Sequence, residues 1–188
     1  MKKRIIAGTL SLALMLSAML SLSGCGTSAQ AADLMAGVKA NAVSTDADLT
    51  GDNAGAVADF AVKLFQNSVV PEKNTLISPI SVLCALAMTA NGAKDETLAQ
   101  MENVFGLSIP ELNDHLHGYL TKLPAGNKYK LSLANSIWLK DDDSLAVEQG
   151  FLQTNADYYG ASVYKAPFDG STLKDINAWV SDNTDGMI

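Results

Sequence analysis

Leu22-Ser23-Gly24-Cys25 carries the most pointed chemistry in the sequence, because small residues ahead of a cysteine form the pattern of a bacterial lipobox. A signal peptidase cuts there, before a Cys whose thiol has been lipidated, so Cys25 is read as a lipidation site. The alternative is a plain cleaved signal with an incidental cysteine. Cys84 lies inside an apolar run, where a free thiol behaves as a small hydrophobe, and a disulfide with a lipidated Cys25 is not expected. His115-Leu116-His117 next to Asp114 invites a metal reading, but residues two apart on a helix point to different sides. Asp46-Ala47-Asp48-Leu49-Thr50-Gly51 echoes the start of a calcium loop, yet its twelfth position is Val57 in place of the bidentate Glu. The chain has no Gly-x-Ser-x-Gly elbow, no Cys-x-x-Cys pair and no Gly-rich phosphate loop, so no catalytic residue, no cofactor and no metal is expected.

A second group of small polar residues surrounds a proline: Asn74, Ser78, Pro79 and Ser81. Taken locally, Asn74 belongs to a turn and Ser78 caps the helix that Pro79 opens, since proline's missing N–H has no intrahelical partner there in any case. Thr75-Leu76-Ile77 between them reads as a short buried strand. The helix from Ile80 to Ala90 is apolar almost all round, through Ile80, Val82, Leu83, Cys84, Leu86 and Met88, which places it in the middle of a larger protein. Asn91-Gly92 ends it.

The other elements follow from periodicity. Val57, Phe60, Ala61, Leu64 and Phe65 lie on one helical face, with Asp52 or Asn53 as N-cap. Asp95 opens a helix carrying Leu98, Met101 and Phe105, and Gly106 stops it; Pro110 starts an amphipathic one through Leu123. Leu131 to Leu139 alternates as a long strand, and Ala161 to Phe168 makes a second. Between these strands the acidic Asp141-Asp142-Asp143 loop leads into a helix with Val147, Phe151 and Leu152. Thr172 to Val180 makes a last helix, with Leu173, Ile176 and Val180 inward. Strands interspersed among helices, without a strict strand-helix-strand repeat, predict an α+β domain.

Ahead of these elements, Met1-Lys2-Lys3-Arg4 and the apolar stretch Ile5 to Leu20 form an export signal, too short and wrongly flanked for a membrane span. The predicted organisation is a lipoprotein signal peptide over 1–24, a flexible Gly/Ser/Ala-rich tether over 25–52 and one folded domain over 53–188. A composition of 48% hydrophobic and 18% charged residues suits such a domain and excludes a disordered chain. The net charge is −7. Cleavage before Cys25 removes Lys2, Lys3 and Arg4, so 13 basic residues become 10 against 20 acidic ones, a balance of −10. Such a surface repels phosphate backbones, and no nucleic-acid partner is expected.

Three segments, in order, resemble the serpin (serine protease inhibitor) family. Asn74-Thr-Leu-Ile-Ser78-Pro79-Ile-Ser81-Val-Leu, running into Ala85-Leu-Ala-Met and Asn91-Gly-Ala93-Lys-Asp-Glu-Thr97, is similar to the strand that leads into the family's central helix. Leu133-Ala134-Asn135-Ser136-Ile137-Trp138 resembles a strand of its large central sheet. Asp175-Ile176-Asn177-Ala178-Trp179-Val180, with Thr184, Gly186 and Ile188, resembles the helix that crosses that sheet. The resemblance runs from about Val57 to the end. It implies a serpin-like α+β fold, namely the N-terminal helices and first strands of the central sheet, incomplete at the C-terminus.

The resemblance also assigns roles. In serpins small polar groups behind the main sheet exchange hydrogen bonds when its strands part, so Asn74, Ser78, Pro79, Ser81 and Asn177 become a candidate conformational gate of the shutter kind. Trp138 and Trp179 are expected as packing anchors. The family inhibits by offering a bait loop that the target protease cleaves and that then inserts into the sheet. That loop lies beyond Ile188, so the chain is expected to be a truncated gene model or broken copy of a longer inhibitor. Its partners would be a serine or a cysteine protease, through the missing loop, and a membrane through Cys25, on the outer cell surface. A serpin-like extracellular binding protein that inhibits nothing, or a non-functional fragment, is the alternative.

Overall fold

The structure, a computed structural model, describes residues 31–44, 49–123, 131 and 133–188. Cys25, the export segment, and Asp46 and Asp48 of the calcium-like stretch lie outside them.

Among the described residues, four helices come first. Helix α1 spans Gly51–Ser68, α2 Pro79–Ala90, α3 Asp95–Phe105 and α4 Ile109–Thr121. The first begins earlier than its apolar face predicts: Thr50, not Asp52 or Asn53, is the N-cap, and Asp52 falls in the first turn, where a carboxylate favours the positive end of the helix. It also runs past Phe65, because Ser68 Oγ donates to Leu64 O at 2.7 Å and Asn67 Nδ2 to Lys63 O at 2.8 Å. Helix α2 starts at its proline as predicted. Gly106 ends α3 in the left-handed region at φ +73°, and a Cβ there would lie 3.4 Å from that of Ala56, so glycine serves both the turn and the close approach of α1. Ser108 and Glu111 form a capping box at the start of α4, the Glu111 carboxylate accepting from Ser108 N–H at 3.0 Å and from its hydroxyl at 2.6 Å.

The core forms where these helices meet. Phe60 of α1 meets Phe105 of α3 edge to face, with ring centroids 6.4 Å apart. Leu83, Cys84, Ala87 and Met88 of α2 and Leu112 and Leu116 of α4 are buried around them. Helix α2 packs on α1 and α4, but Ala85 and Leu86 on its other side are exposed, so its uniformly apolar sequence is only half used here.

Among the described residues the sheet has three strands. β1 is Ala32–Asp33, β2 Ser136–Lys140 and β3 Ser162–Ala166, in the order β1-β3-β2. β2 and β3 run parallel from Ser136↔Ser162 to Lys140↔Ala166, and α5, Gln149–Tyr159, makes the crossover that a parallel pair requires. The strand predicted over Leu131 to Leu139 is thus shorter and shifted. Pairing stops at Asn135, whose carbonyl accepts Ser162 N–H at 3.0 Å, because β3 itself starts there. The stretch Thr75–Ile77 is not a buried strand: no described strand runs beside it, and Leu76 is 100% exposed.

The stretch 25–52 is not a free tether over its described part. Ala32–Asp33 pairs antiparallel with β3, and Leu34 N–H donates to Val163 O at 2.9 Å. The reason is that β3 would otherwise present unpaired backbone groups on that side. Helix α6, Gly170–Asn183, is capped by Asp169, whose Oδ1 accepts the N–H of Ser171 at 2.8 Å and of Thr172 at 3.4 Å. Leu173 was expected inward; it is exposed, and Thr172, one step round the helix, is the buried residue.

Candidate functional site

The candidate gate lies at the entry to α2. Ser78 precedes Pro79 in an extended conformation, and its carbonyl accepts Val82 N–H at 3.2 Å. Its hydroxyl does not cap the helix as predicted. It is turned to Ser81, with Oγ to Oγ 2.8 Å, and either oxygen can be the donor. Two hydroxyls so placed can reverse the direction of their bond or take another partner at little cost, since each is both donor and acceptor. Asn74 and Asn177 are exposed, and among the described residues neither is hydrogen-bonded to the serine pair. The structure therefore joins two of the candidate gate residues and leaves Asn74, on its turn, and Asn177, on α6, apart from them.

Behind the gate, α2 ends in a polar cluster that periodicity alone does not reveal. Asn91 and Asn113 exchange amide hydrogen bonds, Asn113 Nδ2 donating to Asn91 Oδ1 at 2.9 Å and Asn91 Nδ2 to Asn113 Oδ1 at 3.3 Å. The Tyr159 hydroxyl donates to the same Asn113 oxygen at 2.5 Å. Asn113 and Tyr159 are both buried, so the cluster fixes the end of α2 to α4 and α5 inside the core, where each bond is strengthened by low polarity. Burial, with Cys84 and Tyr158 nearby, pushes the Tyr159 phenol well above its ordinary range and keeps it a donor. Cys84, in the same core, is a free thiol pushed up to about 11 by burial. It is a packing residue, not a nucleophile. A spacing signal for the cluster did exist: Asn113 falls on the apolar side of α4, between Leu112 and Leu116.

The two histidines of α4 do point apart. His117 Nδ1 donates to Tyr158 O at 3.2 Å, while His115 is buried on the α1 side of the helix, at a cavity it shares with Ile80 and Leu83. Trp138 stacks on Tyr164 across β2 and β3, with centroids 4.5 Å apart, and its Nε1–H donates to Ser136 Oγ at 3.0 Å. Trp179 is half-buried on α6.

The N-terminal stretch also ends on a defined polar contact. Asn41 donates to Asp157 through its backbone N–H at 2.7 Å and its side-chain amide at 3.1 Å, and Gln153 bridges Asp157 to Lys39 O. Burial pulls the Asp157 carboxyl up, but the donors from Asn41 and Gln153 outweigh it and hold the group below its ordinary value.

Residues 55–188 match the family model described as Serpin (serine protease inhibitor). Among curated proteins, corticosteroid-binding globulin of Saimiri sciureus is 32% identical over 70% of this chain and 34% of its own length. Leukocyte elastase inhibitor A of Mus musculus is 31% identical, over 69% of this chain and 35% of its own. Among solved structures, Tengpin, a thermophilic serpin, in its native state superposes with a TM-score of 0.76 at 50% identity, covering 85% of this chain and 41% of that one. The chain thus spans about a third of the length of the curated relatives it matches.

Proposed function

Because the chain belongs to the serpin family, we propose that it forms the N-terminal part of a protein that inhibits serine proteases by bait-loop insertion. What carries this reading is the likeness to Tengpin, at 50% identity over 85% of this chain. In such a mechanism the target's nucleophile attacks a peptide carbonyl of the loop, the peptide bond breaks and the new amine leaves. The loop, still esterified to the protease, then enters the family's central sheet as an added strand. Insertion stabilises the trapped complex because the added strand pairs backbone groups and buries apolar side chains that were open before. The chemistry belongs to the protease, so the inhibitor contributes no catalytic residue. The Ser78–Ser81 pair at the entry to α2 suits a gate, since its hydroxyls can change partners as the strands part.

The full-length protein, incubated with trypsin-, chymotrypsin- and elastase-like enzymes, is expected to form a complex with one of them that survives SDS and boiling. Clean cleavage with full recovery of every protease would overturn the inhibitor reading.

A second reading is favoured by the similarity to corticosteroid-binding globulin: a serpin that carries a ligand and inhibits nothing. Radiolabelled steroid retained by the full-length protein, without any protease complex, distinguishes it. In either case we propose that Cys25 is lipidated and anchors the exported protein at the cell surface. Incorporation of labelled palmitate that Cys25→Ser abolishes is the expected result, and equal labelling of the variant would refute the anchor.

A further inference from the structure

We infer that Asn91-Gly92, at the end of α2, is a deamidation site that the fold holds shut, and that its reaction, once the end of α2 comes away from α4, is a one-way change. It is the one Asn-Gly pair in the sequence. Each residue has a packing reason to be there: Asn91 exchanges amide hydrogen bonds with Asn113, and a Cβ at position 92 would lie 3.1 Å from the Phe151 ring, so glycine lets α5 approach. Side by side they also carry chemistry. With no side chain on the glycine to crowd it, the Gly92 nitrogen, once deprotonated, can attack Asn91 Cγ; the Cγ–Nδ2 bond breaks and, with a proton from water, ammonia leaves. Water then adds to either carbonyl of the five-membered imide, which opens to an aspartyl or isoaspartyl residue at position 91.

The folded geometry opposes the first step three times over. Ring closure needs Cβ, Cα, the carbonyl carbon and the Gly92 nitrogen near one plane, and the helical ψ of −18° at Asn91 turns that nitrogen out of it. The Gly92 N–H is engaged, donating to Thr89 O at 3.0 Å. The Asn91 amide is held through both its oxygen and its nitrogen by Asn113. Reaction therefore passes through a state in which the end of α2 has opened locally. The product cannot rebuild what was lost. A carboxylate accepts but does not donate, so at position 91 it sets an oxygen against Asn113 Oδ1, which already accepts the Tyr159 hydroxyl. Turning the Asn113 amide over only exchanges which of the two carboxylate oxygens faces its oxygen. The site lies at the opposite end of α2 from the serine pair and uses no bait loop, so it stands whether the protein inhibits or not.

The test holds the full-length protein at mildly alkaline pH, once folded and once unfolded in guanidinium, and follows the tryptic peptide from Asn74 to Lys94 by mass, with fragment spectra and an isoaspartate-specific methyl transfer to place the acid at position 91. The expected result is conversion at least about tenfold slower in the folded protein, as reaction through an opened minority implies. Asn91→Gln, whose longer side chain closes such a ring far more slowly, should end the mass gain at that position. Asn91→Asp, which supplies the product directly, should lower the urea midpoint. Equal rates in the folded and unfolded protein would overturn the inference, and so would an Asn91→Asp protein that keeps the midpoint of the unmodified chain.

Discussion

Single residues in the core set the most direct expectations. The Cys84 thiol is held to about 11 in the folded protein, against an ordinary value of 9.0. A group whose pKa is raised by folding contributes its full stability below the unfolded value and loses it as pH rises through the folded one. Stability should therefore fall between about pH 9 and 11, with Cys84 accounting for about 2–3 kcal/mol of the loss. Tyr159 pushes in the same direction at the upper end, so the test compares slopes: Cys84→Ala should show a shallower decline in denaturant midpoint over that window, and an unchanged slope would refute the assignment. Asn113 makes the second case. Asn113→Leu would strand the buried Tyr159 hydroxyl and take a partner from the half-buried Asn91 amide, at a cost of about 2–3 kcal/mol, and adding Tyr159→Phe should recover part of that loss. Strict additivity of the two substitutions in urea melts would argue against the cluster acting as a unit.

Local signals differ in how far they determine an element. At the start of α4, Ser108→Ala removes half a capping box and should destabilise by about 1 kcal/mol, read as a lowered urea midpoint with the m-value unchanged. That helix was legible because proline and an amphipathic face coincide, although Ser108 itself was not singled out. Helices α2 and α3 were legible for the same kind of reason: Pro79 and Gly106 punctuate them, and both signals act through the backbone of the residue concerned. The strands were less so, because alternation reports a half-buried face but not where a neighbour ends. Leu131 to Leu139 alternates throughout, yet only Ser136–Lys140 has β3 beside it. Ala31 to Val43 was hidden for a related reason. Its composition is that of a linker, and what holds it is backbone pairing with β3 and the Asn41–Asp157 contact, which small residues neither advertise nor prevent. Of the candidate gate, Ser78 and Ser81 adjoin through their spacing on one turn of helix, whereas Asn74 and Asn177 lie on other segments and, among the described residues, are not bonded to that pair.

At the scale of the molecule, the distribution of apolar surface makes this chain a poor candidate for a free monomer when it is produced alone. Val62 and Phe65 of α1, Val69 and Val70 after it, and Leu76 before α2 are all exposed large apolar residues. Others lie on further elements, among them Leu86, Val104, Leu131, Leu173, Met187 and Ile188, and so much exposed apolar surface favours association. The sheet adds a second liability: among the described residues β2 is the outer strand of the order β1-β3-β2, and an outer strand is a template for pairing with another chain. On the far side of β3 the same problem is solved by Ala32–Asp33, which shows that this sheet gains from any strand placed at its margin. Both liabilities predict self-association through the uncovered surfaces, with β2 edges pairing first. The chain expressed from Cys25 to Ile188 should accordingly elute as a concentration-dependent mixture of oligomers, bind a hydrophobic dye and melt broadly. Replacing Leu139 with lysine, to place a charge near the β2 edge, should shift it toward smaller species. A monomeric elution volume together with a sharp two-state thermal transition would show that helices α1 to α6 and their sheet suffice as a folding unit, and that the exposed apolar residues are compatible with an independent domain.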